Sequence, residues 1–384
     1  MTPNYDLSEE HELIRRTVRD FAEQRVAPVA EELDREHRFP YELVAELAEL
    51  GLMGMTIPEE YGGAGADTLS YAIAVEELTR VDSSVAITVA AHHSLGTLPI
   101  YLFGSEEQKR EWLPDLASGR KLAAFGLTEP EAGSDAGATR TRASLDGDSW
   151  VVNGSKAFIT NSGTDITKFV TATAVTDVME NGRKEISAIL IPSGTPGFTV
   201  SKKYSKVGWC ASDTRELSFS DCRVPAANLL GTRGRGFAQF LRTLDEGRVA
   251  IAALSVGLAQ GCVDESVRYA GQREAFGHPI GRYQAIQFKI AEMEARAHTA
   301  RLAYYEAASR MLRGEPFKKQ AAIAKLVSSE AAMDNARDAT QIFGGYGFMN
   351  ETPVGRFYRD AKILEIGEGT SEVQKMLIAR ELGL

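Results

Sequence analysis

Apolar residues recur at helical spacing from about residue 6 to residue 118, with Ile14, Val18 and Phe21 on one face and LVAELAEL running into a glycine stop. A glycine-rich loop, YGGAGAD from Tyr61 to Asp67, interrupts the pattern before it resumes in YAIAVEELTRVDSSVAITVAAHHSL. Between about 119 and 228 the period shortens: WVVNG, FITNSG, KFVTATAV, ISAILI, FTVSKK and ELSFSD read as strands separated by DG, NG, NSG and PG turns. Short turn-linked strands leave no room for crossover helices, so a mostly antiparallel β domain is expected. From about 237 onward helical spacing returns in long stretches, among them FAQFLRTL, AALSVGLAQGCVDESVRYA and AAIAKLVSSEAAMDNARDATQIF. The predicted fold is α+β: an N-terminal helical domain over 1–118, an antiparallel β-barrel or sandwich domain over 119–228, and a C-terminal bundle of four or more helices over 229–384.

Composition narrows the function. A chain of 384 residues exceeds one compact core, and 43% hydrophobic with 25% charged residues is ordinary for a globular protein. No run reaches the roughly 18 apolar residues of a membrane span, so none is expected. The opening MTPNYDLSEE lacks the basic and apolar regions of a leader, and Cys210, Cys222 and Cys262 are too scattered for a disulfide framework or a metal site; the expected compartment is the cytoplasm, with no metal. A net charge of −10 argues against nucleic acid as a partner, because counterion release needs clustered cations. A small polyanionic ligand stays open, since a few local cations and helix N-termini can hold phosphates. GTRGRGF at 231–237 is neither a dinucleotide fingerprint nor a P-loop.

Five segments carry candidate chemistry. FGLTEPEAGSD, Phe125 to Asp135, offers hydroxyls and backbone N–H groups suited to a heterocycle or phosphate, and reads equally as an interdomain turn. WVVNGSKAFITN, Trp150 to Asn161, places an NG turn between two β runs, with Phe158 and Thr160 on one strand face, where an aromatic and a hydroxyl could meet a ring system or simply fill a core. In QREAFGHPIGRYQAIQ, Gln272 to Gln287, Arg273 could reach a pyrophosphate and Phe276 pack on it. QIFGGYGF, Gln341 to Phe348, puts paired glycines after a helix, as a cap or as a place of close approach. Last, ILEIGEGTSEVQ sets Glu368 between Gly367 and Gly369, just before a helix that Ser371 and Gln374 are expected to open as a capping box.

Together, in this order, LTEPEAGSD, NGSKAFITN, RxxFG from Arg273, QxxGGxGF from Gln341 and EGTSEVQ from Glu368 make the whole chain resemble the acyl-CoA dehydrogenase family. LDxGR at Leu244 to Arg248 brings it nearest the short-chain and short-branched-chain bacterial members. The resemblance implies FAD as cofactor. Its flavin would lie against Phe125, Leu127, Thr128, Ser134, Phe158 and Thr160, and its pyrophosphate and adenosine against Arg273, Phe276, Gln284, Gln341 and Gly345 across a subunit boundary, with Thr370 and Glu372 as further contacts. Ser134, Asp245, Glu246, Gly247, Arg248 and Gly369 match positions around the acyl-CoA substrate. The implied assembly is a homotetramer built as a dimer of dimers, and the implied electron acceptor is electron-transfer flavoprotein.

Glu368 matches the family's catalytic base. Some relatives carry the base on the helix one position before the arginine, which is Gly247 here, so that route is closed, and Glu246 is out of register. The implied reaction removes the α proton of the thioester to Glu368 and the β hydrogen as hydride to the flavin, giving a trans-2-enoyl-CoA. Gly367 departs from the tyrosine common in relatives and opens the question of branched acyl groups. Two other readings stand beside this one: a same-fold acyl-CoA oxidase or flavin-dependent monooxygenase, and a non-catalytic acyl-CoA-binding scaffold.

Overall fold

The computed structural model describes residues 7–384. Residues 1–6, the start of the stretch read for a leader, lie outside the described residues. Seven helices come first: α1 (Glu9–Phe21), α2 (Ala27–Glu36), α3 (Tyr41–Glu49), α4 (Thr68–Thr79), α5 (Ser83–Ala90), α6 (Leu98–Phe103) and α7 (Glu106–Ala117). Their starts follow sequence chemistry, since Ser8, Asp67, Asp82 and Ser105 each cap a first turn with a side-chain oxygen.

Eight strands follow: β1 (Leu122–Gly126), β2 (Arg142–Asp146), β3 (Ser149–Thr160), β4 (Thr167–Val178), β5 (Lys184–Pro192), β6 (Phe198–Val200), β7 (Thr214–Pro225) and β8 (Leu229–Leu230). They form one sheet in the order β6-β7-β3-β2-β4-β5-β8, with β1 added beside β4. The sheet is mostly antiparallel, as expected, but β1 runs parallel to β4, and β2 makes a parallel bridge to it. Parallel pairing arises because the chain enters β1 straight from the helical domain, without a hairpin. One expectation needs correcting: Asn153–Gly154 is not a turn between two strands. Both lie inside β3, where the register shifts, and the reason is steric: a Cβ on Gly154 would come within 2.5 Å of Thr141 Oγ1.

The chain then returns to helix with α8 (Gly236–Gln272), a two-residue hairpin of β9 (Glu274–Ala275) and β10 (His278–Pro279), α9 (Gln284–Leu312), α10 (Lys318–Phe343), α11 (Pro353–Leu364) and α12 (Ser371–Glu381). One core joins the N-terminal helices to this bundle through Val75, Leu78, Leu254, Leu258, Ala339 and Phe357. A separate core fills the sheet, and another, with Trp112, Leu116, Phe169, Leu190 and Phe240, clamps the sheet against α7 and α8. The three helical and sheet units therefore meet around the start of α8, which is where the candidate site lies.

The stretch Ser83–Phe103 is long and apolar enough to cross a membrane, with a mean hydropathy of 1.2, contrary to the expectation that no run qualifies. Its polar residues, His92 and His93 among them, break the stretch into shorter apolar runs. Here 83% of that window is buried inside the protein, where it packs as a core helix.

Candidate active site

Glu368 sits where α11 has ended and α12 has not begun. Its backbone φ is 51°, a left-handed conformation that costs a non-glycine residue about 1 kcal/mol or more. Among the described residues seven non-glycines adopt positive φ, and Phe158, Phe276 and Glu368, all expected at the site, are three of them. What holds the loop is the Gly369 carbonyl, which accepts from Lys325 Nζ and from Gln374 Nε2, each at 2.8 Å. This use of Gln374 displaces the expected capping box by one residue. Thr370 is the cap, accepting from the Val373 N–H at 3.3 Å, and Ser371 is the first helical residue.

The Glu368 carboxyl points across to α8. A Cβ on Gly247 would overlap Glu368 Oε2 and lie 3.6 Å from Leu95 Cδ2, so the glycine leaves the space that the carboxyl occupies. Oε2 is buried and has no hydrogen-bond partner among the described residues. Burial pushes the Glu368 pKa up to about 7, against the opposing pull of Arg248 and Lys325. A carboxyl half-ionised at neutral pH can both hold and release a proton, which an ordinary surface glutamate cannot do efficiently there. Next along α8, Asp245 pairs with the buried Arg248, and burial raises both Asp245 and Glu246 above the usual carboxylate range.

The residues expected at the flavin fall into two groups. The first lies on the sheet. Phe125, next to last in β1, stacks on Phe240 of α8 at 3.7 Å, while Leu127, Thr128 and Ser134 follow in the loop beyond the strand. The Thr128 carbonyl accepts from Ala157 N–H at 2.9 Å, which sets this loop beside the end of β3, where Phe158 is 66% exposed and Thr160 half-buried. The second group surrounds the end of α8. Arg273 lies over the Tyr346 ring at 5.9 Å and lines a cavity of about 490 Å³ with Gly344 and Gly345. Phe276, in the β9–β10 hairpin, is 95% exposed; Gln284 opens α9, and Gln341 sits on the last turn of α10. Thr370 and the exposed Glu372 stand at the start of α12 beside the Glu368 loop.

Two features escaped sequence reasoning. Lys325 is wholly buried behind the Glu368 loop. Within the sheet, Lys156 and Glu129 form a buried ion pair at 2.7 Å. Lys156 also donates to the Leu127 carbonyl at 3.3 Å and Thr173 Oγ1 at 3.1 Å, and Glu129 accepts from Arg140 N–H at 2.6 Å and Thr141 N–H at 3.0 Å. Burial penalises both charges; each holds the other ionised, with Glu129 net below and Lys156 net below their usual values. The pair thereby bolts the 127–134 loop to the strand that carries Phe158 and Thr160. The only sequence signal was a charged residue in the middle of each segment.

A helical domain, a mixed sheet with an exposed aromatic at its edge, and a helical bundle whose glycine-flanked loop holds a buried, unpartnered and half-ionised carboxyl make a site suited to acid–base chemistry. The chain belongs to the acyl-CoA dehydrogenase family. Family models of the acyl-CoA dehydrogenase N-terminal domain match residues 8–120, of the middle domain residues 124–222, and of the C-terminal domain residues 234–383. It is 50% identical to a probable acyl-CoA dehydrogenase of Bacillus subtilis over 379 residues, covering 99% of both chains. The structure of butyryl-CoA dehydrogenase from Megasphaera elsdenii superposes with a TM-score of 0.96 at 44% identity, covering 100% of both chains. A chain from a structure described as the electron transferring flavoprotein of Acidaminococcus fermentans, in work on flavin-based electron bifurcation, matches with a TM-score of 0.96 at 43% identity over 99% of both.

Enzymes of this family use FAD, and the residues present fit it. Phe158 and Phe276 each present an exposed ring, packed on one side by Tyr204 and Tyr283 respectively, on which a flat ligand ring could lie. A Cβ on Gly344 or Gly345 would meet nothing within 4 Å, so the backbone beside Arg273 is open to close approach by a phosphate or ring.

Proposed function

We propose that this enzyme dehydrogenates a short-chain acyl-CoA across Cα and Cβ, with Glu368 as the base that takes the α proton. The observation that carries the reading is the buried, unpartnered Oε2 of Glu368, with a pKa near 7, aimed at Gly247. In this reading Phe125, Leu127, Thr128, Ser134, Phe158 and Thr160 hold the isoalloxazine end of FAD, Thr370 and Glu372 add contacts from α12, and Arg273, Phe276, Gln284, Gln341 and Gly345 hold the adenosine end. Bound there, FAD supplies the hydride acceptor.

The chain's own groups do the rest. The Glu368 backbone N–H takes no partner among the described residues and is free to donate to the thioester carbonyl, stabilising the charge that develops as the α proton leaves. The acyl group expels water around the carboxyl, which raises its proton affinity further at the moment it acts. Asp245, Gly247, Arg248 and Gly369 border the acyl-CoA, with Glu246 beside them. The product is a trans-2-enoyl-CoA. At Gly367 a Cβ would meet only Ile363, at 3.4 Å and beyond, and the resemblance puts a tyrosine at this position in relatives, so the smaller residue favours including branched short acyl groups among the substrates. Electron-transfer flavoprotein serves as acceptor, by analogy with the Acidaminococcus structure. Exposed Phe276, Phe288 and Phe348 favour a homo-oligomer in which partners complete each FAD site, a tetramer built as a dimer of dimers. Three free, buried cysteines suit a cytoplasmic setting.

Anaerobic mixing with butyryl-, isobutyryl-, 2-methylbutyryl-, isovaleryl-, hexanoyl- and octanoyl-CoA tests the substrate class. Bleaching of the yellow flavin should be fastest with four- and five-carbon acyl groups; fastest bleaching by octanoyl-CoA would contradict it. Rapid oxygen uptake with peroxide release would instead make the enzyme an oxidase. Because only the ionised base accepts a proton, kcat/KM should rise with pH through a midpoint near 7 and then level; a midpoint near 4.5 would show a solvated carboxylate. Arg273→Ala should lose most of its FAD on gel filtration, read as the ratio of flavin to protein absorbance, while an unchanged ratio removes Arg273 from the cofactor site.

A further inference from the structure

Lys325 is buried on α10, and the described residues give its ammonium one hydrogen bond, to the Gly369 carbonyl at 2.8 Å, and no ion pair within 4 Å. An ammonium taken out of water without a carboxylate in contact is costly, and nothing in the packing of α10 requires it. The peptide it grips directly follows Glu368, whose φ of 51° must be held from outside. Gln374 grips the same carbonyl from α12, at 2.8 Å, but brings no charge. Burial lowers the Lys325 ammonium to about 8, so it carries its charge through the rising limb near pH 7 and sheds it above that; the charged groups facing it are Glu368, Glu365, Glu372 and the Arg248 guanidinium, and Glu368 faces Lys325, Arg248 of α8 and the uncharged Tyr71 hydroxyl of α4.

Resting on the reading of Glu368 as base, we infer that Lys325 is its positioning residue: the ammonium clamps the Gly369 carbonyl, fixing the loop in its left-handed turn, and stands as a positive charge behind the carboxyl. Two effects separate this from a merely structural lysine. A loosened loop slows proton removal at saturating substrate, and a missing cation makes Glu368 harder to ionise, which moves the rising limb of the pH profile to higher pH.

The test compares FAD-loaded parent, Lys325→Met, Lys325→Arg and Glu368→Gln with butyryl-CoA between pH 5 and 9. Lys325→Met should keep its flavin, lose roughly tenfold to a hundredfold in kcat with little change in KM, and shift the limb upward by about one pH unit; Lys325→Arg should return the limb toward the parent. Should Lys325→Met shed flavin or fail to fold, Lys325→Arg against Lys325→Gln decides, with a limb raised only in the glutamine variant supporting the role. An unmoved limb, with kcat within twofold of the parent, overturns it. Glu368→Gln keeps the two claims apart: if it is dead while the Lys325 variants behave as the parent, only the Lys325 assignment fails, and if it turns over normally the base assignment fails first.

Discussion

Glu368→Gln should stay yellow and still bind acyl-CoA, yet turn over butyryl-CoA about four orders of magnitude more slowly at pH 7, because an amide of the same shape cannot take the α proton. Steady-state assay with an artificial electron acceptor gives the number. The same variant should be more stable than the parent above neutral pH. The Glu368 carboxyl has a folded pKa near 7, above its ordinary 4.5, so the folded state binds more protons than the unfolded one between those values, and stability falls as pH rises through that window. Removing the titration should therefore raise stability at pH 8 by about 1–3 kcal/mol, read as a higher thermal midpoint than the parent's. Lower stability in the glutamine variant at that pH would mean that the carboxyl is not held against its preference.

The second large effect is expected in the sheet. Lys156→Met leaves the buried Glu129 charge without its cation, held only by Thr139 and the Arg140 and Thr141 N–H groups among the described residues, which should cost about 2–4 kcal/mol in urea unfolding. Adding Glu129→Gln to that variant should recover a large part of the loss, since two neutral groups need no mutual compensation. Simple additivity of the two single changes would mean that the pair does not act as a unit. Flavin retention should fall in Lys156→Met, because the Leu127–Ser134 loop then loses one of its ties to β3 and keeps, among the described residues, only the Thr128–Ala157 backbone bond.

How much of this was legible beforehand differs from feature to feature. The order helix, strand, helix was readable because the hydrophobic period itself changes near residues 119 and 237. Glu368 was readable as a loop acid because a glycine stands on each side and a helix start follows, although the cap fell on Thr370 rather than Ser371 once Gln374 had turned back to the Gly369 carbonyl. The Asn153–Gly154 pair carries the usual hairpin signature, and only the approach of Thr141, set by β2 pairing with β3, reveals that the glycine is there for a bulge. For Lys156 and Glu129 the sequence offers only a charge in the middle of each segment, and for Lys325, outside the five candidate segments, not even that. A lysine in a strand or helix is ordinarily solvated, and nothing local announces that a partner 27 or 44 positions away will be brought to it in a dry interior. Phe158 and Phe276 were already candidates from their segments, and both adopt left-handed backbones, as do His37, Asn161, Trp209 and Asp221 elsewhere.

The central claim, that Glu368 removes the α proton, is met most directly by rapid anaerobic mixing of butyryl-CoA with the FAD-loaded parent and with Glu368→Gln, following the loss of flavin absorbance in a single turnover. The parent should bleach at a rate that climbs with pH and levels above about 7, and the variant at least a thousandfold more slowly at every pH. Bleaching of the glutamine variant within tenfold of the parent would contradict the account.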